Sequence, residues 1–440
     1  MTSPPHVVIV GGGFGGLAAA RALADAPLRV TLVDRHNYHL FQPLLYQVAT
    51  ASLSPGDIAA PIRWVLRRQR NLNVILAEAR GVDTAGRRLL LDRGPAERAD
   101  GGAPLSEVQG LGELSYDYLI LSAGATHTYF GHPEWEKLAP GLKTLDDALE
   151  IRRQILLAFE AAEREQDRTA ERRLLTFVIV GGGPTGVELA GALAEIARRT
   201  LREDFRNIQP QSARIVLIEG SPDLLGAFPE HLRAAARSSL AKLGVEVRTG
   251  SVVTAVDRGG VAWQHAGATE YLAAGTVLWA AGVAASPLGT SLGVPLDRAG
   301  RVLAEPTLAV PGRGEIFVVG DMCAFALDGK PLPGVAQAAM QEGKHAAENV
   351  LRAVRGQRLE RFRYRDYGSM ATIGRGAAVA DIGGLRTTGL VAWFIWLFVH
   401  IFWLIGFRNR LAVLTEWAWS YASFQRRVRL ITGGRLWPGT

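Results

Sequence analysis

The chain has 440 residues, 48% of them hydrophobic and 21% charged, which is enough apolar material for two or three packed domains and too much for a disordered or fibrous protein. A formal charge of +7 suits nucleic acid, an anionic membrane surface, or only the solvated faces of an arginine-rich chain, so the placement of the basic residues must decide. One cysteine, Cys323, excludes an internal disulfide, a four-thiolate iron–sulfur cluster and a cysteine-pair redox centre within one chain.

The first residues, MTSPPH, carry no basic stretch ahead of an apolar core, which predicts no secretory signal and a cytoplasmic catalytic body. Val7 to Val10 reads as a buried strand that breaks into GGGFGG and then an alanine-rich helix, so Gly11, Gly13 and Gly16 fall in G-x-G-x-x-G register. In that register the glycines permit a tight turn, close approach of a pyrophosphate, and packing of the helix on the strand. Val30 to Val33 is the second strand, and Asp34 ends it where a carboxylate accepts both hydroxyls of an adenosine ribose. The aromatic stretch RHNYHLFQPLLYQVATASLSPGDIAAPIRWVLRR follows, a loop-rich lining with a helix expected over Ala59 to Arg68. Val74 to Ala77 and Arg88 to Leu91 read as strands, and the Gly/Pro/Asp-rich run from Asp92 to Gly112 as a long exposed hairpin loop. Tyr118 to Ser122 is another buried strand, stopping at Ala123 and Gly124, small residues beside which a ligand can pass. Thr144 to about Glu165 is an amphipathic helix expected to bridge two domains.

The opening pattern then returns. Phe177 to Val180 is apolar, Gly181, Gly183 and Gly186 repeat the fingerprint, Ile215 to Ile218 supplies the matching strand, and Glu219 ends it as Asp34 ended the first. A glutamate there favours NAD(H), since its charge repels a 2'-phosphate. Further strands at Val245 to Val247, Val252 to Val256 and Thr276 to Trp279 lead to Ala281-Gly282, and Ile316 to Val319 leads to Gly320-Asp321. A helix from Val335 to Val350 places Gln337 and Gln341 one turn apart on one face. From Gly389 to Phe407 the chain is apolar and aromatic, with His400 its one ionisable group. Arg408 and Arg410 follow, then a second apolar helix ending in Arg426, Arg427 and Arg429. Trp393, Trp396, His400 and Trp403 lie near one helical face, which favours a segment lying in the headgroup region over one that spans. The basic residues beside it would attract an anionic lipid surface, and no nucleic-acid partner is expected.

VVIVGGGFGG with Asp34, FQPLLYQVATASLSPGDIAAPIR, VIVGGGPTGVELAG with Glu219, LWAAGV, FVVGDMC and GVAQAAMQEG, in that order, resemble the type II NADH:quinone dehydrogenase family, over nearly the whole chain. The resemblance implies two Rossmann-like dinucleotide-binding domains of α/β class with a C-terminal membrane-binding helical segment. Residues 1–125 and 301–365 would form the FAD-binding domain, 126–300 the NAD(H)-binding domain and 366–440 the membrane-anchoring segment. It implies FAD held by Gly11, Gly13, Phe14, Gly15, Gly16, Asp34, Arg35, Pro43, Ala123, Gly124, Asp321, Ala336 and Gln337. Leu44, Tyr46 and Gln47 would join Pro43 at the flavin ring edge. NADH would be held by Gly181, Gly183, Pro184, Thr185, Gly186, Glu188, Glu219, Ala281 and Gly282.

The same resemblance makes Gln337 and Gln341 quinone-pocket residues, and Glu188 a proton relay to the reduced quinone. From the residues alone, Glu188 could equally be a carboxylate favoured in the first turn of its helix by the helix dipole. Tyr367 stands where the family often carries a basic residue, so no role carries over to it. The implied enzyme is a monotopic flavoprotein on the cytoplasmic face of the inner membrane. It takes a hydride from NADH and gives two electrons to menaquinone or ubiquinone without pumping protons, and a homodimer sharing one membrane face is plausible. Sulfide:quinone reductase shares the scaffold but works through paired cysteines, which Cys323 alone cannot supply. A reductase of a protein acceptor, or a flavin-binding redox sensor, remains as an alternative.

Overall fold

Two parallel sheets, each begun by a glycine-loop strand, organise two compact units in the computed structural model, which describes residues 3–92, 112–327, 329–423 and 428–432. All but the two ends of the expected Asp92 to Gly112 loop lie outside the described residues, as do Arg426 and Arg427.

The first unit comprises Met1–His39, Ala60–Thr126 and Val283–Asp366. Its six-stranded sheet runs in the order Ala309–Val310, Arg313–Val318, Tyr118–Leu121, His6–Val10, Arg29–Asp34, Leu72–Leu76. All pairings are parallel except that of the short edge strand. HVVIV is buried at every position, as expected of a central strand in a sheet covered on both faces. The helices Phe14–Ala22 and Ala336–Val354 pack on this sheet and on each other.

The second unit comprises Leu40–Ala59, His127–Gly282 and Tyr367–Thr440. Its parallel sheet runs Val245–Arg248, Arg214–Ile218, Thr176–Val180, Thr276–Trp279, and a separate antiparallel sheet pairs Ser251–Val256, Gly260–His265 and Ala268–Ala273 in sequence order. The helix Leu145–Arg164 starts where expected because Thr144 and Asp147 form a reciprocal capping box, with bonds of 3.1 and 2.8 Å. A cap of this kind contributes about 1 kcal/mol. The two units differ from the four-segment division above: residues 40–59 and 367–440 belong with the sheet of the second unit, and Val283 to Gly300 with that of the first.

Two local expectations are corrected. Ala59 to Arg68 is not one helix; the chain makes a single turn at Pro55–Ile58, an extended Ala59–Pro61 and a short helix Ile62–Val65. Pro61 explains this, because its ring holds the preceding residue extended and it has no N–H for a helical bond. The Gly389 to Phe407 run is also divided. A helix of 15 residues, Gly389–Trp403, ends before Leu404, and a second, Phe407–Ser423, begins three residues on. At 1.5 Å per residue the first is about 22 Å long, short of a bilayer core of about 30 Å. Among the described residues no helix is long and apolar enough to cross a membrane.

Candidate functional site

The two glycine loops repeat one geometry. Gly11 has φ +98° and Gly181 φ +110°, values that favour glycine. A Cβ on Gly16 would lie 1.8 Å from the Gly11 carbonyl oxygen, and one on Gly186 would lie 1.8 Å from that of Gly181, so helix and loop touch backbone to backbone. Gly13 and Gly183 face open space, with nothing within 4 Å of a built Cβ. That combination of a packed inner face and an open outer one, at a helix N-terminus, fits a dinucleotide pyrophosphate. Either loop would fit the pyrophosphate of FAD or of a nicotinamide dinucleotide.

The acids are braced identically. Asp34 accepts hydrogen bonds from the Gly12 N–H at 2.5 Å and the His36 N–H at 2.7 Å; Glu219 accepts from the Gly182 N–H at 2.5 Å and the Ser221 N–H at 2.6 Å. Each acid therefore ties its loop to the end of the second strand. Ribose binding alone does not predict this bracing. Burial pushes Asp34 above the usual carboxylate range, while the Gly12 and His36 N–H groups oppose it. Phe14 stands edge-on to His39 at 5.1 Å, and burial lowers His39 to about 4, so a neutral imidazole backs the loop, bonded to the Gly12 carbonyl. Arg35 is exposed, Gly124 and Gly282 have φ +71° and +69°, and Gly15 packs against Ser122 and Ala339. Pro184 and Thr185 are exposed at the start of the second loop helix, and Pro43 is half-buried in the turn Gln42–Leu44. Ala281 packs on the apolar cluster that includes Trp279, and Ala123 donates its N–H to the Met322 sulfur at 3.2 Å.

Glu188 is the fifth residue of the helix Pro184–Glu195, past the first turn, so the dipole argument does not apply to it. It shares a face with Ala192 and Glu195, and the π-turn Ile196–Thr200 carries the same face on to Arg199. Within the second unit this face walls a cavity closed by Tyr46, Gln47, Trp393, Trp396 and Trp417. The space open to water is about 60 Å³, room for about four waters at roughly 15 Å³ each.

Gln47 is buried and fixed at both ends: it donates to the Tyr46 hydroxyl at 2.9 Å and accepts from the Trp417 indole N–H at 2.7 Å. Thr372 donates its N–H toward Glu188 Oε1 at 3.4 Å, and burial pushes Glu188 up to about 8, so the acid carries its proton at neutral pH. Gly191 permits this wall, since a Cβ there would lie 1.8 Å from the Ile373 carbonyl oxygen.

The aromatic face is a correction. Trp393 and Trp396 are 7% and 1% exposed, and burial lowers His400 to about 4; these residues point inward. Leu390, Val391, Phe394, Phe398 and Phe402 make the exposed stripe, with Trp403 44% exposed beside them. The basic residues are also more committed than expected. Arg410 donates to the carbonyls of Leu404 at 2.8 Å and Phe402 at 2.7 Å, closing the end of the preceding helix, and Arg429 pairs with Asp204. Arg408 is exposed.

In the first unit, Asp321 is half-buried in the turn Gly320–Met322. Ala336 begins the helix that bears Gln337 and Gln341, and both glutamines reach one segment. Gln337 donates to Asp366 at 3.3 Å; Gln341 donates to the Arg365 carbonyl at 2.8 Å and accepts its N–H at 3.0 Å. Cys323 is buried, which pushes its thiol well above its ordinary range and makes it no nucleophile. Tyr367 is 47% exposed.

Comparison with known proteins places the chain in a family. The family profile Pyridine nucleotide-disulphide oxidoreductase matches residues 5–343, and the NDH2 C-terminal domain matches 367–426. The chain is 44% identical to the type II NADH:quinone oxidoreductase Ndh of Mycobacterium tuberculosis, over 99% of this chain and 93% of that one. It is 43% identical to NdhA of the same organism, over 98% and 90%. NDH2 of Plasmodium falciparum, solved with NADH, has the same fold: TM-score 0.86 at 21% identity, covering 98% of this chain and all of that one. The sulfide:quinone oxidoreductase of Aquifex aeolicus shares the fold at TM-score 0.72 and 17% identity, with 95% of each chain covered.

Proposed function

The chain belongs to the type II NADH:quinone oxidoreductases and passes electrons from NADH to quinone with FAD as its prosthetic group, and from that premise we propose that the cavity walled by Glu188 takes the quinone ring. FAD supplies the two-electron carrier that no side chain can replace. Reducing a quinone to a quinol takes two electrons and two protons; NADH brings one hydrogen as hydride, so one proton comes from solution. Glu188 delivers it. What supports this reading is a single observation: Glu188, which burial pushes up to about 8, stands in a cavity lined by three tryptophans, a tyrosine and a doubly anchored glutamine, with Glu195, Arg199 and Arg375 at its charged side. Flat aromatic walls suit a quinone ring, and the neutral acid suits a donor.

The first loop, with Gly11, Gly13, Gly16 and Asp34, holds FAD, and the second, with Gly181, Gly183, Gly186 and Glu219, holds NADH. Gln337 and Gln341 brace residues 365 and 366 within the first unit. The test is anaerobic. NADH added to the detergent-purified protein bleaches the flavin absorbance faster than NADPH does, and a lipophilic quinone restores it within turnover time. A flavin that bleaches but stays reduced after quinone is added turns the reading toward a protein acceptor.

The stripe Leu390, Val391, Phe394, Phe398 and Phe402 lies on the bilayer at the cytoplasmic face, in the plane of the headgroups, with Arg408 beside it. A homodimer would offer two such stripes. Each buried Phe contributes about 1.5–3 kcal/mol, so Phe394→Glu with Phe398→Glu should lower partitioning onto anionic vesicles at least about 10²-fold. Flotation with vesicles of one-third anionic lipid reads this directly; unchanged flotation removes the stripe from the membrane.

A further inference from the structure

The helix Ala336–Val354 carries a carboxyl where its buried face calls for an apolar side chain. Ala338, Glu342 and Ala346 are successive fourth residues on that face, and Glu342 is 3% exposed. Its Oε2 accepts the Gly320 N–H at 2.5 Å. Gly320 has φ +68°, a left-handed conformation, and opens the turn Gly320–Met322 that contains Asp321. The next residue on the helix, Gly343, touches the first glycine loop itself: a Cβ there would lie 2.1 Å from the Gly15 carbonyl oxygen. One helix thus contacts the phosphate loop through Gly343 and the Gly320–Asp321 turn through Glu342. Electron transfer as described above makes no use of this acid.

We propose that Glu342 is a positioning residue for FAD, pinning the Gly320–Asp321 turn from one side while Gly343 abuts the glycine loop, so that turn and loop form one rigid cofactor seat. The proposal rests on the reading of Asp321 as an FAD-holding residue. A leucine would fill the same space but leave the Gly320 N–H without its acceptor, and a buried donor left unmet is costly. The charged and titratable groups facing Glu342 are Asp321 on the turn and the Cys323 thiol just beyond it. Burial, with Asp321 adding to it, pushes Glu342 up to about 8, so at pH 7 the acid is neutral and Asp321 is not opposed by a second charge. Above that pH an added negative charge would sit beside Asp321 and near the diphosphate of the cofactor, weakening the seat.

The experiment follows FAD release from the purified holoprotein, by the rise in free-flavin fluorescence on dilution, between pH 6.5 and 9.5. Glu342→Ala should release FAD about 10- to 100-fold faster than the native chain at pH 7, whereas Glu342→Gln, whose amide oxygen still accepts the Gly320 N–H, should stay within about threefold. Native release should accelerate as pH rises through 8, and Glu342→Gln should show no such rise. Asp321→Ala is the control. If it loses FAD while Glu342→Ala holds it at the native rate, Glu342 is not the pin. If Asp321→Ala holds FAD, the reading of Asp321 falls and the proposal falls with it. Should Glu342→Ala not fold, the pH profile of Glu342→Gln decides, and a native-like rise above pH 8 overturns the proposal.

Discussion

Glu188→Gln should lower quinone reduction at pH 7 by about 10²- to 10⁴-fold, the range spanned by a lost general acid. Glutamine keeps the shape and can still accept the Thr372 N–H, but it has no proton to give. Bleaching of the flavin by NADH should be unchanged, because that half of the cycle takes no proton from this acid. The pH profiles separate the two proteins further. With Glu188 raised to about 8, native activity should hold below that pH and fall about tenfold per unit above it, as the donor ionises, while the variant stays low and flat. Stability also falls with rising pH, but over a lower window. A carboxyl whose folded value lies above its unfolded one adds its full stability below the unfolded value of 4.5, and that contribution is lost as pH climbs toward 8. The glutamine variant lacks this loss, so at pH 8 it should melt higher than the native protein. Lost turnover together with raised melting temperature would exclude misfolding as the cause. Native turnover by the variant would remove Glu188 from the chemistry.

What the residues revealed in advance tracks how local the physics is. Each glycine loop is decided within a dozen residues by a strand, a turn and a helix, so both dinucleotide folds were legible, as was the helix start at Thr144. The cavity was not. Tyr46, Glu188, Thr372, Trp393 and Trp417 come from segments far apart in sequence, and only packing brings them to one wall. The inward turn of Trp393 and Trp396 was missed for a different reason: the Gly389–Trp403 helix is apolar all round, and such a helix carries no periodic signal of which face is covered. The engagement of Arg410 with its own helix end was hidden because the expectation counted charge and ignored the unmet carbonyls nearby. Glu342 could have been found. An acid at the fourth residue between two alanines on the apolar face of its helix is a signal that periodicity offers.

The twin acids allow one more expectation, and it separates the two sites in a single preparation. Asp34→Ala should emerge from purification with little flavin, its FAD affinity lowered about 10²-fold or more, since hydrogen bonds to a charged acceptor are worth about 1.5–3 kcal/mol each and the ribose would lose two. The variant also frees the Gly12 and His36 N–H groups that the carboxylate now holds, so the loop loses its brace along with its ligand. Glu219→Ala makes the corresponding change in the second loop, freeing the Gly182 and Ser221 N–H groups. It should retain a full complement of flavin and instead raise the KM for NADH by about 10²-fold, narrowing the preference over NADPH because the carboxylate that repels a 2'-phosphate is gone. Flavin absorbance per protein and the KM for each nicotinamide read both variants. A Glu219→Ala protein without flavin, or an Asp34→Ala protein with full flavin and a raised KM for NADH, would exchange the two sites. Loss of both functions in either variant would mean that the acids act as structural braces first and as ribose ligands second.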